Sequence, residues 1–345
     1  MTSAARRLWD RVSEWWSSES EPLVNDFVAH GGPLIKPYGG YLRIWLSEMS
    51  LAKDRRAATD RFPALQASVR LSFGGGPDTT FSTITRPPEG HEGPSIRRDI
   101  PLTTLLPYAG GTVDIQVALL DVAGASDLQV ALDILGEFSS LLTPPLSTVA
   151  GVANKVASGI GRIDDHLAAN DQRPVLALQR SLSGGATGLE PGYLFGVLAS
   201  PEDLPAGSVR VTEGRLSLTG NGAALTGFDY LVLRVETTAD RDDWRFPEWD
   251  GLIGEAMAAQ VLGQIDRFQQ LRTDVLARIV TSADLTPTDR LRVASLVKNE
   301  LDGFALGASG EDRHDTLVGL VKSRGLPDRL AVQHLTAADL LATAA

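Results

Sequence analysis

Apolar residues recur along this chain with two different periods, and the order in which those periods alternate restricts the fold more than any motif does. Within 41–48 (YLRIWLSE), Leu42, Ile44 and Leu46 alternate with Arg43, Trp45 and Ser47. The same two-residue period puts Leu65, Ala67, Val69, Leu71 and Phe73 on one side of 65–73, and Val113, Ile115, Val117 and Leu119 on one side of 112–119. Successive strand side chains point to opposite faces, so each segment predicts a strand with one buried and one wetter face, as in an antiparallel sheet. The turn-forming 74–78 (GGGPD) joins the second strand to TTFSTIT and predicts a hairpin.

Over 127–168 the period becomes helical. Ala131, Leu135, Phe138 and Leu142 precede Pro144 and Pro145, and Val149, Val152, Val156, Ile160, Ile163 and Leu167 follow them. This predicts a helical hairpin with the prolines at its turn. Strand texture then returns in RPVLALQR, GYLFGVLA, SVRVTEGRLSLTGNGAAL and FDYLVLRVE, with Asn221 and Gly222 marking a turn. Roughly eight to ten short strands suit a single β-sandwich or barrel. Past Gly251 the pattern is helical. Val261, Ile265, Phe268, Val275 and Ile279 predict one stripe; then Thr286 caps a helix with Pro287 first, Asp289 third and Gly303 as its stop.

The expected class is α+β. An antiparallel β-sandwich or barrel-like domain spans 35–240, interrupted by the inserted helical hairpin 127–168 and followed by C-terminal helices over 241–303. Before it, 1–34 holds an amphipathic helix, with Leu8, Val12, Trp15 and Trp16 on one side, and a Gly/Pro-rich approach to the sheet. After it, 304–345 reads as a loosely attached tail with short docking helices.

Composition narrows the function. A chain of 345 residues, 43% of them hydrophobic, buries at least one full core. The absence of cysteine removes disulfides, thiolate metal sites and cysteine nucleophiles, and points to the cytoplasm. No secretory signal and no apolar run of spanning length is present. A formal net charge of −11 argues against a phosphate backbone as partner. The excess of arginine over lysine, with abundant alanine and glycine, suggests a high-GC bacterial gene.

Motifs for catalysis are missing. His30, Gly31 and Gly32 could form an oxyanion loop, but the serine elbow G-x-S-x-G that such a loop serves does not occur. No glycine precedes a lysine, which excludes a Walker loop, and GNGAAL lacks the third glycine of a dinucleotide fingerprint. His30, His91, His166, His314 and His334 are nowhere at helical ligand spacing, and 163–166 (IDDH) reads as a solvated helix end.

The stretch 239–251 (ADRDDWRFPEWDG) has two readings. Asp240, Asp242 and Asp243 could collect Ca²⁺ at the tip of a sheet, with Asp121 and Asp127 as a facing supplier, and Trp244, Phe246 and Trp249 could bind a ligand. Alternatively it is a staple, in which Pro247 starts a helix and the aromatic residues anchor that helix to the sheet. Beyond Ca²⁺, no cofactor is implied.

The functional expectation is a non-enzymatic protein-interaction or adaptor component of a bacterial multi-protein system, with a protein partner. Two alternatives are a membrane-acting protein that uses the 127–168 hairpin or the N-terminal helix, and a divergent metal-dependent hydrolase.

Overall fold

The computed structural model describes residues 23–52, 61–72, 79–85, 95–123, 174–184, 188–200, 202–205, 207–241, 243–307 and 326–341. The expected N-terminal helix and the 127–168 hairpin lie outside them, as does Asp242. Within them the chain is α+β: antiparallel sheets followed by helices at the C-terminal end.

Twelve strands are described. β1 (Leu23–Ala29), β9 (Gly192–Leu198), β12 (Asp229–Thr238), β2 (Tyr41–Ser50) and β5 (Ser95–Pro101) form one open sheet in that order, with the short β6 (Leu106–Pro107) also on β2. A second sheet runs β4 (Thr79–Thr85), β3 (Arg61–Ser72), β7 (Thr112–Ala123), β8 (Pro174–Ser183). The expected hairpin across 74–78 is the β3–β4 pair. β10 (Val209–Thr212) and β11 (Arg215–Leu218) make a separate hairpin.

The period-two faces become a shared core. Leu42, Ile44 and Leu46 of β2 and Leu231, Leu233 and Val235 of β12 pack in one apolar cluster with Val113, Ile115, Val117 and Leu119 of β7. Removing that much aliphatic surface from water is the main force joining the sheets. Ser47 has no partner on β12, where Val232 faces Glu48 and Leu233 faces Leu46. This bulge shifts the phase by one residue, so that Met49 and Leu51 rejoin the core that Leu46 left.

The other face of the open sheet is covered by the β10–β11 hairpin, around Tyr193, Phe195, Val197, Leu216, Tyr230 and Val232. Its two-residue tip is Glu213 and Gly214, both with positive φ, as a type I′ turn requires. Asn221 and Gly222 form a turn after β11 and not the hairpin tip: Gly222 donates to the Leu218 carbonyl, and Asn221 Oδ1 accepts from Ala223 N. Beneath the hairpin, Glu48 accepts a 2.9 Å hydrogen bond from Leu216 N, and burial raises its pKa.

The helices are α1 (Pro247–Val261), α2 (Ile265–Thr281), α3 (Pro287–Gly307) and the short α4 (Ala337–Leu341). Phe268, Val275 and Ile279 are buried as expected, but Val261 and Ile265 are 69% and 52% exposed. The chain turns at Gly263, with φ +70, so these two residues belong to different helices and share no stripe. Thr286 Oγ1 accepts from Asp289 N, and Pro287 opens α3, in keeping with the capping pattern. Gly303 does not stop α3, which continues to Gly307 with Leu301 and Ala305 against the helical core. At the far end of the tail, Leu340 of α4 is buried in that same core.

A candidate interaction site at the seam between sheet and helices

The stretch 239–251 runs out of β12 and into α1, and its side chains go in two directions. Trp244, Phe246 and Trp249 are buried, at 7%, 0% and 2% exposure, in the helical core beside Ile253, Val293 and Val297. Phe246 meets Trp249 edge to face at 4.8 Å and is the residue before Pro247, so the aromatic pair is set by the first turn of α1. Arg245 lies over the Trp244 ring and reaches Asp250 and Glu300.

The charged residues form the seam itself. Arg241 is 1% exposed and stacks on Phe246 and Tyr41. Its guanidinium donates to Asp243 Oδ1 at 2.6 Å, to the Leu105 carbonyl at 3.0 Å and to the Asp284 carbonyl at 2.8 Å. One side chain thus ties the strand-side loop at Leu105 to the start of α3. A guanidinium is suited to this because its planar fork of donors serves several acceptors while its faces pack on rings.

Asp240 gathers two further arginines. Arg292 of α3 donates to Asp240 Oδ1 at 2.6 Å and to the buried Asp289 Oδ1 at 2.7 Å. Arg329 donates to Asp240 Oδ1 at 3.1 Å, to the Gly39 carbonyl at 3.2 Å and to the Ala239 carbonyl. Burial alone would raise the Asp240 carboxyl, but hydrogen bonds and charge from Arg329 and Arg292 hold it below the ordinary carboxylate range. On the sheet side, Tyr41 donates to Asp289 Oδ2 at 2.6 Å and accepts from Thr286 N at 2.9 Å. Burial, reinforced by the Asp289 charge, raises the Tyr41 phenol well above its usual value.

These contacts place the residues expected to hold Ca²⁺. Asp240 and Asp243 are brought near the seam, each already paired with arginine, so a cation there would compete with Arg292, Arg329 and Arg241. Among the described residues no three His, Cys, Asp or Glu side chains converge as a metal site. No described helix is long and apolar enough to cross a membrane.

Sequence reasoning missed the residue that the seam displays. Lys36 to Gly39 is a tight turn, in which Gly39 N donates to the Lys36 carbonyl at 2.8 Å. Pro37 is its second residue and Tyr38 its third, with φ +62. That third position, when φ is positive, favours glycine because a Cβ is strained there. The turn is held by Tyr38 N to the Tyr108 carbonyl and by Arg329 to Gly39, while the Tyr38 ring is 59% exposed. Leu330, next to Arg329, is 71% exposed, and Leu34 on the same loop 52%. The only sequence signal was a tyrosine after Lys-Pro and before Gly-Gly, where a turn would ordinarily take glycine. No protein-family model matches this chain, and no curated protein sequence matches it.

Proposed function

We propose that this chain is a non-enzymatic protein-interaction component, an adaptor of a bacterial multi-protein system working in the cytoplasm. Its two sheets act as a β-sandwich scaffold, and its helical unit completes the contact surface at the seam. Tyr38 carries the reading. A strained, exposed aromatic residue on a turn fixed from both sides contributes nothing to a core, and local strain of this kind concentrates where a residue serves binding. Tyrosine is also among the residue types that dominate interface energetics. Leu34, four residues before Tyr38, and Leu330, next to the Arg329 that holds the turn, are exposed apolar side chains as well.

The test exploits the turn itself. Tyr38→Gly removes the ring and suits the backbone, so it separates binding from folding. Tagged wild-type and Tyr38→Gly chains are purified from the native host at matched expression. The expected result is a stoichiometric partner with wild type, lost with Tyr38→Gly at an unchanged melting temperature. Equal recovery of that partner by both chains, or recovery of neither with any partner, overturns the proposal.

A further inference from the structure

Bordering the seam at Asp243, the solvent side of the open sheet carries a cluster that the interaction reading does not use. Arg234 faces Trp45, and Glu236 faces Arg43, in adjacent cross-strand pairs of β12 and β2. Both guanidiniums lie over the Trp45 ring, at 5.1 Å for Arg43 and 4.9 Å for Arg234. The indole Nε1 donates to Glu236 Oε2 at 2.5 Å, which fixes the ring on which they rest.

The nearest acid to Arg43 is Asp243 at 3.8 Å, and the nearest to Arg234 is Asp99 at 3.6 Å, both beyond hydrogen-bond length. Asp243 Oδ1 accepts from Arg241, Asp99 Oδ1 from Ser47 Oγ and Glu236 Oε2 from Trp45, while Asp243 Oδ2 is buried without a hydrogen-bond partner among the described residues. Nε of both arginines is buried without an acceptor among the described residues. The two side chains are only 21% and 28% exposed, so they are held in place and are not free in solvent. Two guanidiniums stacked on one ring, neither within hydrogen-bond length of a neighbouring acid, match the bidentate geometry of a carboxylate.

We propose that Arg43, Trp45 and Arg234 form a carboxylate-binding site on the outer face of the open sheet. The carboxylate is that of a free small acid or of a Glu or Asp side chain on a bound protein. The site stands on this geometry alone and does not depend on the role given to Tyr38.

The indole N–H of Trp45 is the reporter. Its signal in a ¹H–¹⁵N spectrum of the full chain is assigned with Trp45→Phe, then followed on titration with glutarate, with the peptide Ac-Glu-Glu-Glu-NH2 and with inorganic phosphate. A saturable shift with a carboxylate is expected, weakened about tenfold or more in Arg43→Gln/Arg234→Gln. Arg43→Lys/Arg234→Lys keeps charge and stem but loses the fork, and should also weaken it; it serves if the glutamine variant fails to fold. Tighter binding of the peptide assigns the carboxylate to a protein partner, and tighter binding of glutarate to a small acid. No saturable shift with either carboxylate at tens of millimolar, an equal shift in the folded double variants, or phosphate binding as tightly as carboxylate overturns the proposal.

Discussion

The interior between the sheets and the seam between sheet and helices are both well buried, yet they are built on opposite principles. The interior is aliphatic: the contacts of Leu42, Ile44 and Ile115 have no required direction, and Leu233 could be replaced by another side chain of similar volume. The seam is directional. Tyr41, Asp289 and Arg292 are joined by hydrogen bonds, and Arg241 is bonded to Asp243 and to the Leu105 and Asp284 carbonyls; loss of either set strands a buried polar group. Apolar packing joins layers without specifying an angle, whereas a set of charged forks fixes how the helices meet the sheet.

If the seam is directional and the interior is not, substitutions should separate them, and the largest effect belongs to the seam. Asp289→Ala leaves Arg292 and Tyr41 without their buried acceptor and should cost about 3–5 kcal/mol in denaturant unfolding. A cost under about 1 kcal/mol would show that the seam contributes little. Arg241→Lys keeps the charge but cannot serve Asp243, Leu105 and Asp284 together, and a loss of about 1–3 kcal/mol is expected by the same measurement. Leu233→Met, by contrast, should cost less than about 1.5 kcal/mol, since the interior asks only for apolar volume.

Acid sharpens the comparison further. Asp240, held below its ordinary value of 3.8 by Arg329 and Arg292, contributes stability that is fully present above that value and is lost as pH falls through the folded-state one. Asp302, half-buried and hydrogen-bonded by Arg272 and Lys298, behaves in the same way within the helical unit. Arg329→Ala should therefore move the midpoint of acid unfolding upward, a small shift because Asp240 is largely exposed. The smallest expected effect is that of Ca²⁺. With Asp240 and Asp243 already paired, millimolar Ca²⁺ should leave the melting temperature unchanged, whereas a rise would indicate a cation bound by the folded state.

Legibility in the sequence followed the same division. The alternation in 41–48 and 112–119 gave the inner faces of β2 and β7 directly, because a strand's two faces are written in its local pattern. β1 and β5 were not anticipated: LVNDFVA keeps no strict alternation, and SIRRDIP is charged and ends in proline. The capping residues of α3 were legible for a similar local reason, while the stripe drawn through Val261 and Ile265 ignored the break at Gly263. Of the site residues, Asp240 and Asp243 were singled out for a cation, but their arginine partners, Arg292 and Arg329 for Asp240 above all, could not be paired with them by spacing.

By itself the sequence determined the strands with strict alternation, such as β2 and β7, their apolar faces and the start of α3, since those depend on neighbours a few residues away. Only the tertiary structure decided that Tyr41 meets Asp289, 248 residues later, that Arg43 and Arg234 share one indole, and that Tyr38 is displayed on a strained turn. The physical reason is range. Hydrophobic burial leaves a periodic trace along the chain, whereas a charged or stacked contact between distant segments leaves none until the fold brings its two halves together.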